Sequence, residues 1–428
     1  MKSFACLLLV LASTAAFSFD LTGPGKDKDK GKGKSKAALA ATSITLDPWS
    51  YTEQDLYPSA IISTATVDWN GDDQIAEDKK TTTDPKPKKK DIPIYGDENG
   101  WLAVDLTGLP KNARVEVTIA IEGYLKPSTW HGTLTRTTKA GEARIFPKAI
   151  WDYDALLKVR QQRPVNVTFS ATINGTPIPP DTETYTLRSL NDCMFYVKWD
   201  EDGTDFDDFS WLFAAYVNEN HPEIDLILQE ALKSGLVSDF DGYQDDDPKA
   251  VMMQVFAVWN ALQRRGIKYS DISRTTPSKY VVSQTVRFID DSIRATQANC
   301  VDGTVLMASV LSKIGITSYL VMIPGHCFLA FDLSGGKNPK RIGLETTLLG
   351  NNTIKAVEEI PHLTQKAKLD EFKASYKTFT AAVKVGNASL TKYKTQLEDD
   401  SDSADPDIQI ISIPDARDLG ITPIATTK

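Results

Sequence analysis

Cys300, His326 and Glu345 fall within one stretch, and their types and order could support nucleophilic chemistry at a carbonyl. Asn299 offers a helix N-cap, which puts Cys300 at the first helical position. Leu306, Val310 and Ile314 then repeat at helical spacing and Gly315 closes the helix. The segment TSYLVMI reads as a buried strand, and Pro324-Gly325 as a turn. In the strand that follows, His326, Phe328 and Ala330 face one way, and Cys327, Leu329 and Phe331 the other. After SGGKNPK a third short strand carries Glu345. A thiol at a helix N-terminus feels the partial positive charge of unpaired N–H groups, which favours thiolate. A neighbouring strand can bring an imidazole to it, and a carboxylate on the next strand can orient that ring.

The elements leading to Cys300 come in a matching order. Asp247-Pro248 starts a helix in which Val251, Val255, Val258 and Leu262 share a face, and Gly266 ends it. IKYSDI is a short extended piece, and Val282, Val286, Ile289 and Ile293 predict a second helix before the cysteine. Cys, His and acid on helix, strand and strand, preceded by these elements, resemble the transglutaminase-like superfamily of papain-type cysteine enzymes. The matching core spans roughly residues 250–350. The resemblance implies that Cys300 is the nucleophile, His326 the general base and acid, and Glu345 the orienting acid, with no metal or cofactor required. The chain departs from the family pattern in three ways. Glu stands where Asp is usual, the Cys-to-His interval is short, and Cys327 replaces the aromatic that often follows the histidine. Gln284 is a candidate oxyanion donor beside the cysteine N–H, although an exposed helix position suits it better. Trp259 reads as core and Asn299 as a cap.

The N-terminus, MKSFACLLLVLASTAAFSFD, has an early lysine, an apolar run from Phe4 to Ala12 and small residues before Phe19. This predicts a secretory signal peptide over residues 1–18, with Ala16 and Ser18 at the −3 and −1 positions. The apolar run is too short to span a bilayer, and no later segment approaches transmembrane length. The expectation is an exported, secreted or periplasmic protein. Cleavage would leave Cys193, Cys300 and Cys327, an odd number that excludes a disulfide framework. Cys193 and Cys327 read as buried thiols, with pairing between them as the alternative.

The formal charge of −9 over 428 residues argues against nucleic acid as a partner. Lysine recurs at every second position from Lys26 to Lys36, and again in the run Lys86–Lys90. Both read as solvated linker, the first filling residues 19–43. Residues 44–190 carry alternating patterns, as in ARVEVTIAIEG and PVNVTFSATI, with further strands expected at AIISTATVDW, GWLAVDL, WHGTLTRT and TETYTLRS. They predict an all-β sandwich of immunoglobulin-like type. Its His131 has no partner in sequence, and neither does the later His362. Acidic runs at Asp68–Asp78 and Asp200–Asp208 read as solvated loops rather than calcium sites, since Lys79 occupies the position where an EF-hand needs Glu. Asn166, Asn174, Asn351 and Asn387 begin glycosylation sequons. IQIISI predicts a late strand at a sheet edge.

The fold expected is therefore multidomain, with the sandwich followed by an α+β transglutaminase-like (papain-like) domain over residues 191–428. The function expected is cleavage of peptide or protein amides through a thioester, with hydrolysis favoured over amine transfer because nothing marks an amine site. Two alternatives stay open. One is a catalytically inactive binding module of the same fold. The other is an interaction protein that reaches cell-envelope components through the sandwich.

Overall fold

The computed structural model describes residues 44–67, 92–97, 99–199, 206–271, 278–354, 359–399, 405 and 407–425. The expected signal peptide, both lysine runs, the Asp68–Asp78 loop and much of the Asp200–Asp208 run lie outside the described residues.

Alternation of apolar and polar residues builds the first part of the chain. Its strands are β1 (Thr45–Ser50), β2 (Asp55–Leu56), β3 (Ile94–Gly96), β4 (Leu102–Thr107), β5 (Arg114–Ile121), β6 (Leu125–Thr133), β7 (Ala143–Phe146), β8 (Ile150–Trp151), β9 (Arg163–Ile173) and β10 (Thr176–Leu187). They form a four-stranded sheet, β1-β4-β7-β3, and a six-stranded sheet, β2-β10-β9-β5-β6-β8. In β5 Val115, Val117, Ile119 and Ile121 are buried while Glu116 is exposed. They join Val104 and Ile145 of the first sheet in one apolar core. Among the described residues one expected strand is replaced: AIISTATVDW begins within a helix, α1 (Pro58–Ser63). Pro58 has the fixed φ that suits a helix start, and the helix carries Ala60 into one core and Ile61 into the other.

The second part opens with β11 (Asp192–Lys198) and β12 (Phe206–Asp208), followed by helices α2 (Pro222–Lys233) and α3 (Pro248–Arg264). Helix α3 is buried on all sides from Val251 to Leu262, as befits the centre of a core. Next come β13 (Lys268–Tyr269), β14 (Val281–Thr285), α4 (Ile289–Ala295), β15 (Gln297–Ala298) and α5 (Cys300–Lys313). The helix expected over 282–293 is thus a strand followed by a shorter helix. The β-branched pair Val281-Val282 joins the ladder of β11, with Cys193 opposite Gln284, and helical geometry starts only at Ile289. The chain then runs through β16 (Ser318–Ile323), β17 (His326–Asp332), β18 (Arg341–Leu344), α6 (Lys373–Lys392) and β19 (Gln409–Ser412). These strands form an antiparallel sheet, β18-β17-β16-β19, with IQIISI at its edge. Helix α5 packs against β16 and β17, and α6 packs along β18.

Both cores lie within one compact unit, Ser43–Lys428. Tyr57, Ala60 and Leu190 from the first part lie in the core of the second. Ser59 donates to the carbonyl of Asp192 at 2.5 Å, and Tyr51 hydrogen-bonds to Asp207. The Arg188 guanidinium clasps Asp55 through two bonds of 2.8 and 3.0 Å, and Ser278 donates to the same carboxylate at 2.7 Å. Among the described residues no helix is long and apolar enough to cross a membrane.

Candidate active site

Cys300 is the first residue of α5, and its position is set from both sides. Upstream, Thr296 ends α4 in the left-handed conformation (φ 51°), which reverses the chain so that Gln297-Ala298 can pair in parallel with Lys268-Tyr269. Downstream, a capping box closes the first turn: Asn299 Oδ1 accepts the Asp302 N–H at 2.8 Å, and Asp302 Oδ2 accepts the Asn299 N–H at 3.0 Å. As the first helical residue, Cys300 has a backbone N–H with no intrahelical acceptor. The thiol is partly exposed, while Val301 and Asp302 behind it are buried.

His326 begins β17, directly after the Pro324-Gly325 turn, where Gly325 takes a φ of 69°. Its ring stacks on Phe328, two residues along the same face of the strand. Cys327, Leu329 and Phe331 turn to the opposite side and enter the main core. Glu345 follows the last residue of β18 and caps a short 3₁₀ turn. One carboxylate oxygen is held by Thr347, through its N–H at 3.1 Å and its hydroxyl at 2.6 Å. The other lies 2.7 Å from His326 Nε2. A glutamate at this corner spans the gap to the ring with its extra methylene while its second oxygen stays anchored.

The Cys300 thiol lies near enough to the imidazole to interact with it electrostatically. With Nε2 engaged by Glu345, Nδ1 is the nitrogen left to exchange a proton with sulfur. Burial alone would pull the histidine pKa down. Interaction with Cys300 and the hydrogen bond to Glu345, together with their charges, override it and raise the value to about 10. Burial would raise the Glu345 pKa, yet the bonds from His326 and Thr347 hold it below the usual glutamate value. A thiol at a helix start, an imidazole and a carboxylate are thus gathered at one place.

Hydroxyls that carry no sequence signal lock the two sides together. Thr304 donates to the Cys300 carbonyl at 2.7 Å and lies 3.2 Å from the Thr346 hydroxyl. The missing side chain of Gly303 lets this part of α5 approach Thr346, since a Cβ there would come within 3.2 Å of it. Exposed Tyr269 flanks the site; burial, then the charges of Asp271, Cys300 and Glu345, raise its pKa. The Asn-x-x-Asp pattern of the cap was available to pattern reading, whereas Thr346, Thr347 and Arg287, which pairs with Asp302, were not.

The other residues singled out in the sequence make other contacts. Gln284 stands on the strand β14 rather than on a helix, and its amide donates to the Thr285 carbonyl at 3.0 Å. Trp259 is fully buried, its indole N–H donating to Thr378 at 2.9 Å. Cys193 and Cys327 are buried free thiols whose pKa values burial pushes up. Among the described residues no group of three or more His, Cys, Asp or Glu side chains is placed to hold a metal ion. Comparison with protein-family models and with curated proteins finds no match, so the geometry itself carries the functional argument.

Proposed function

We propose that this chain is an exported transglutaminase-like cysteine enzyme, an immunoglobulin-like sandwich joined to a papain-type catalytic half, that cleaves amide bonds in peptides or proteins. The observation that carries the reading is the His326 ring 2.7 Å from the Glu345 carboxylate, with the Cys300 thiol near enough to shift the same imidazole. Cys300 Sγ attacks the amide carbonyl carbon, and the negative charge that develops on oxygen meets the uncommitted Cys300 N–H at the start of α5. His326 passes its proton to the leaving nitrogen, and the amine departs to leave a thioester. The same ring then takes a proton from water, which attacks the thioester and releases the acid. Glu345 keeps the imidazole oriented and stabilises its protonated form throughout.

The test is direct. The full chain is incubated with peptide anilides of varied sequence, and separately with a glutamine-containing protein and a fluorescent primary amine. Release of aniline that disappears in Cys300→Ala supports hydrolysis, and amine incorporation supports transfer. A second experiment needs no substrate: iodoacetamide labelling of Cys300 is followed by mass spectrometry from pH 4 to 10, with and without His326→Gln. Cys300 labelling that follows an ordinary thiol curve and ignores His326 would sink the proposal.

A further inference from the structure

Behind Cys300, on a side of the first turn that the triad does not use, lies a buried ion pair with no part in the mechanism above. The Asp302 side chain is completely buried, and Arg287 Nη1 lies 3.3 Å from its Oδ2. The Arg287 N–H adds a second bond, 2.8 Å to Oδ1. Arg287 also reaches the Gln297 carbonyl at 3.4 Å, on the short strand that delivers the chain to Cys300. One carboxylate thus ties together the loop before α4, the N-cap residue Asn299 and the helix that carries the nucleophile.

We infer that Arg287 is a positioning residue for Cys300, closing the cap through Asp302 and cancelling a buried negative charge that would oppose the thiolate. This rests on the reading of Cys300 as the nucleophile. Asp302 sits in the first turn of α5, two residues from the sulfur-bearing position, with its side chain removed from bulk solvent. Unpaired, it would either stay ionised and repel a thiolate, or take up a proton and weaken its hold on the Asn299 N–H. Burial already pushes its pKa above the usual aspartate value, against the bonds from Asn299 and Arg287. The other titratable groups around Cys300 are His326 and Cys327 on β17, Glu345 after β18, and Tyr269 with Asp271 beyond β13. None of these is bonded to Asp302, so Arg287 can be changed without touching the triad.

The experiment reads the pH at which iodoacetamide labelling of Cys300 reaches half its maximum rate, in the full chain. Arg287→Gln is expected to move this midpoint up by about one pH unit. Asp302→Asn leaves the arginine charge in place and is expected to move it down. The double variant returns toward wild type, and Arg287→Lys, which restores the charge, stays close to it. Loosening of the cap alone would move both single variants in the same direction, and that result overturns the inference, as does a midpoint that neither variant moves. If Arg287→Gln fails to fold, the downward shift of Asp302→Asn still decides. A wild-type midpoint that is already that of an ordinary thiol would remove the catalytic reading together with this inference. A low midpoint that depends on His326 but not on Arg287 removes only this one.

Discussion

At Glu345 one carboxylate performs two tasks, and substitutions separate them. Gln at this position keeps the bonds to Thr347 but gives His326 a neutral partner. The imidazolium then loses its counter-charge, and turnover should fall by roughly 100- to 10,000-fold with little change in stability. Steady-state kinetics and thermal melting of Glu345→Gln check the two halves of that statement. The pH behaviour follows from the same contact. His326 is raised from 6.5 to about 10 in the folded protein, so protonation favours the native state. The stabilisation is fully present below about 6.5 and is lost as the pH climbs toward about 10. Glu345 is lowered, so its share is present above the unfolded glutamate value and lost on acidification. The melting-temperature gap between wild type and His326→Gln should therefore be widest in the mildly acidic range, between the unfolded glutamate value and about 6.5, and close toward pH 10. A gap that grows on the alkaline side would show that the imidazole is held neutral instead.

Elements, rather than side chains, decide how closely the acid approaches the helix that bears the thiol. Strand β18 meets helix α6 at a pair of glycines: a Cβ on Gly343 would come within 2.4 Å of the Gly386 backbone, and one on Gly386 within 2.3 Å of Gly343. At this crossing Asn387 accepts the Gly343 N–H at 2.9 Å, and the Glu345 N–H donates to the Ala382 carbonyl at 3.0 Å. The edge of the sheet is thereby covered and the acid pinned. Gly343→Ala should cost roughly 1–3 kcal/mol, measured by urea unfolding, and should also blunt the response of Cys300 labelling to His326→Gln. Thr296 offers the opposite sign. A β-branched residue at φ 51° is strained, and Thr296→Asn, which tolerates that conformation, should stabilise by about 1 kcal/mol. How much of this was legible follows from range. The helix cap at Asn299, the Pro324-Gly325 turn and the alternation through His326 are local, and pattern reading placed each of them. The strand at Val281–Thr285 was read as a helix because its apolar spacing also fits 3.6 residues per turn, and only pairing with a strand far back in the chain decides. The Gly343–Gly386 crossing and the Thr304–Thr346 link join distant segments, so no window of sequence could have displayed them.

For the molecule as a whole, the question is whether the half that carries Cys300, His326 and Glu345 can stand without the sheets before it. A boundary near residue 190 looks natural in the sequence, where alternating strands give way to helices. In the folded protein that cut would remove Tyr57 and Ala60 from the core that also holds Trp259 and Phe213. It would strip Asp192 of the Ser59 bond to its carbonyl and Ser278 of its bond to Asp55. It would also break a cluster of aromatic rings in which Tyr51 and Trp101 of the first part meet Phe209 edge-on or tilted, with centroids 5.7 and 6.2 Å away. Burial of Tyr57 alone is worth about 1.5–3 kcal/mol, a sizeable share of the 5–15 kcal/mol by which domains are typically stable. A fragment starting at residue 191 should therefore be unfolded or aggregated, and lack of turnover in it would say nothing about where catalysis resides. A fragment starting at residue 44 should behave like the full chain. In urea its far-ultraviolet circular dichroism and its tryptophan fluorescence, reported in part by Trp101 at the junction, should change in a single shared transition. Two separated transitions, or a folded and active fragment from residue 191, would mean that the junction is only a contact between autonomous domains. The sandwich could then be assigned a task of its own. A single transition makes it part of the scaffold that holds Cys300, His326 and Glu345 in register.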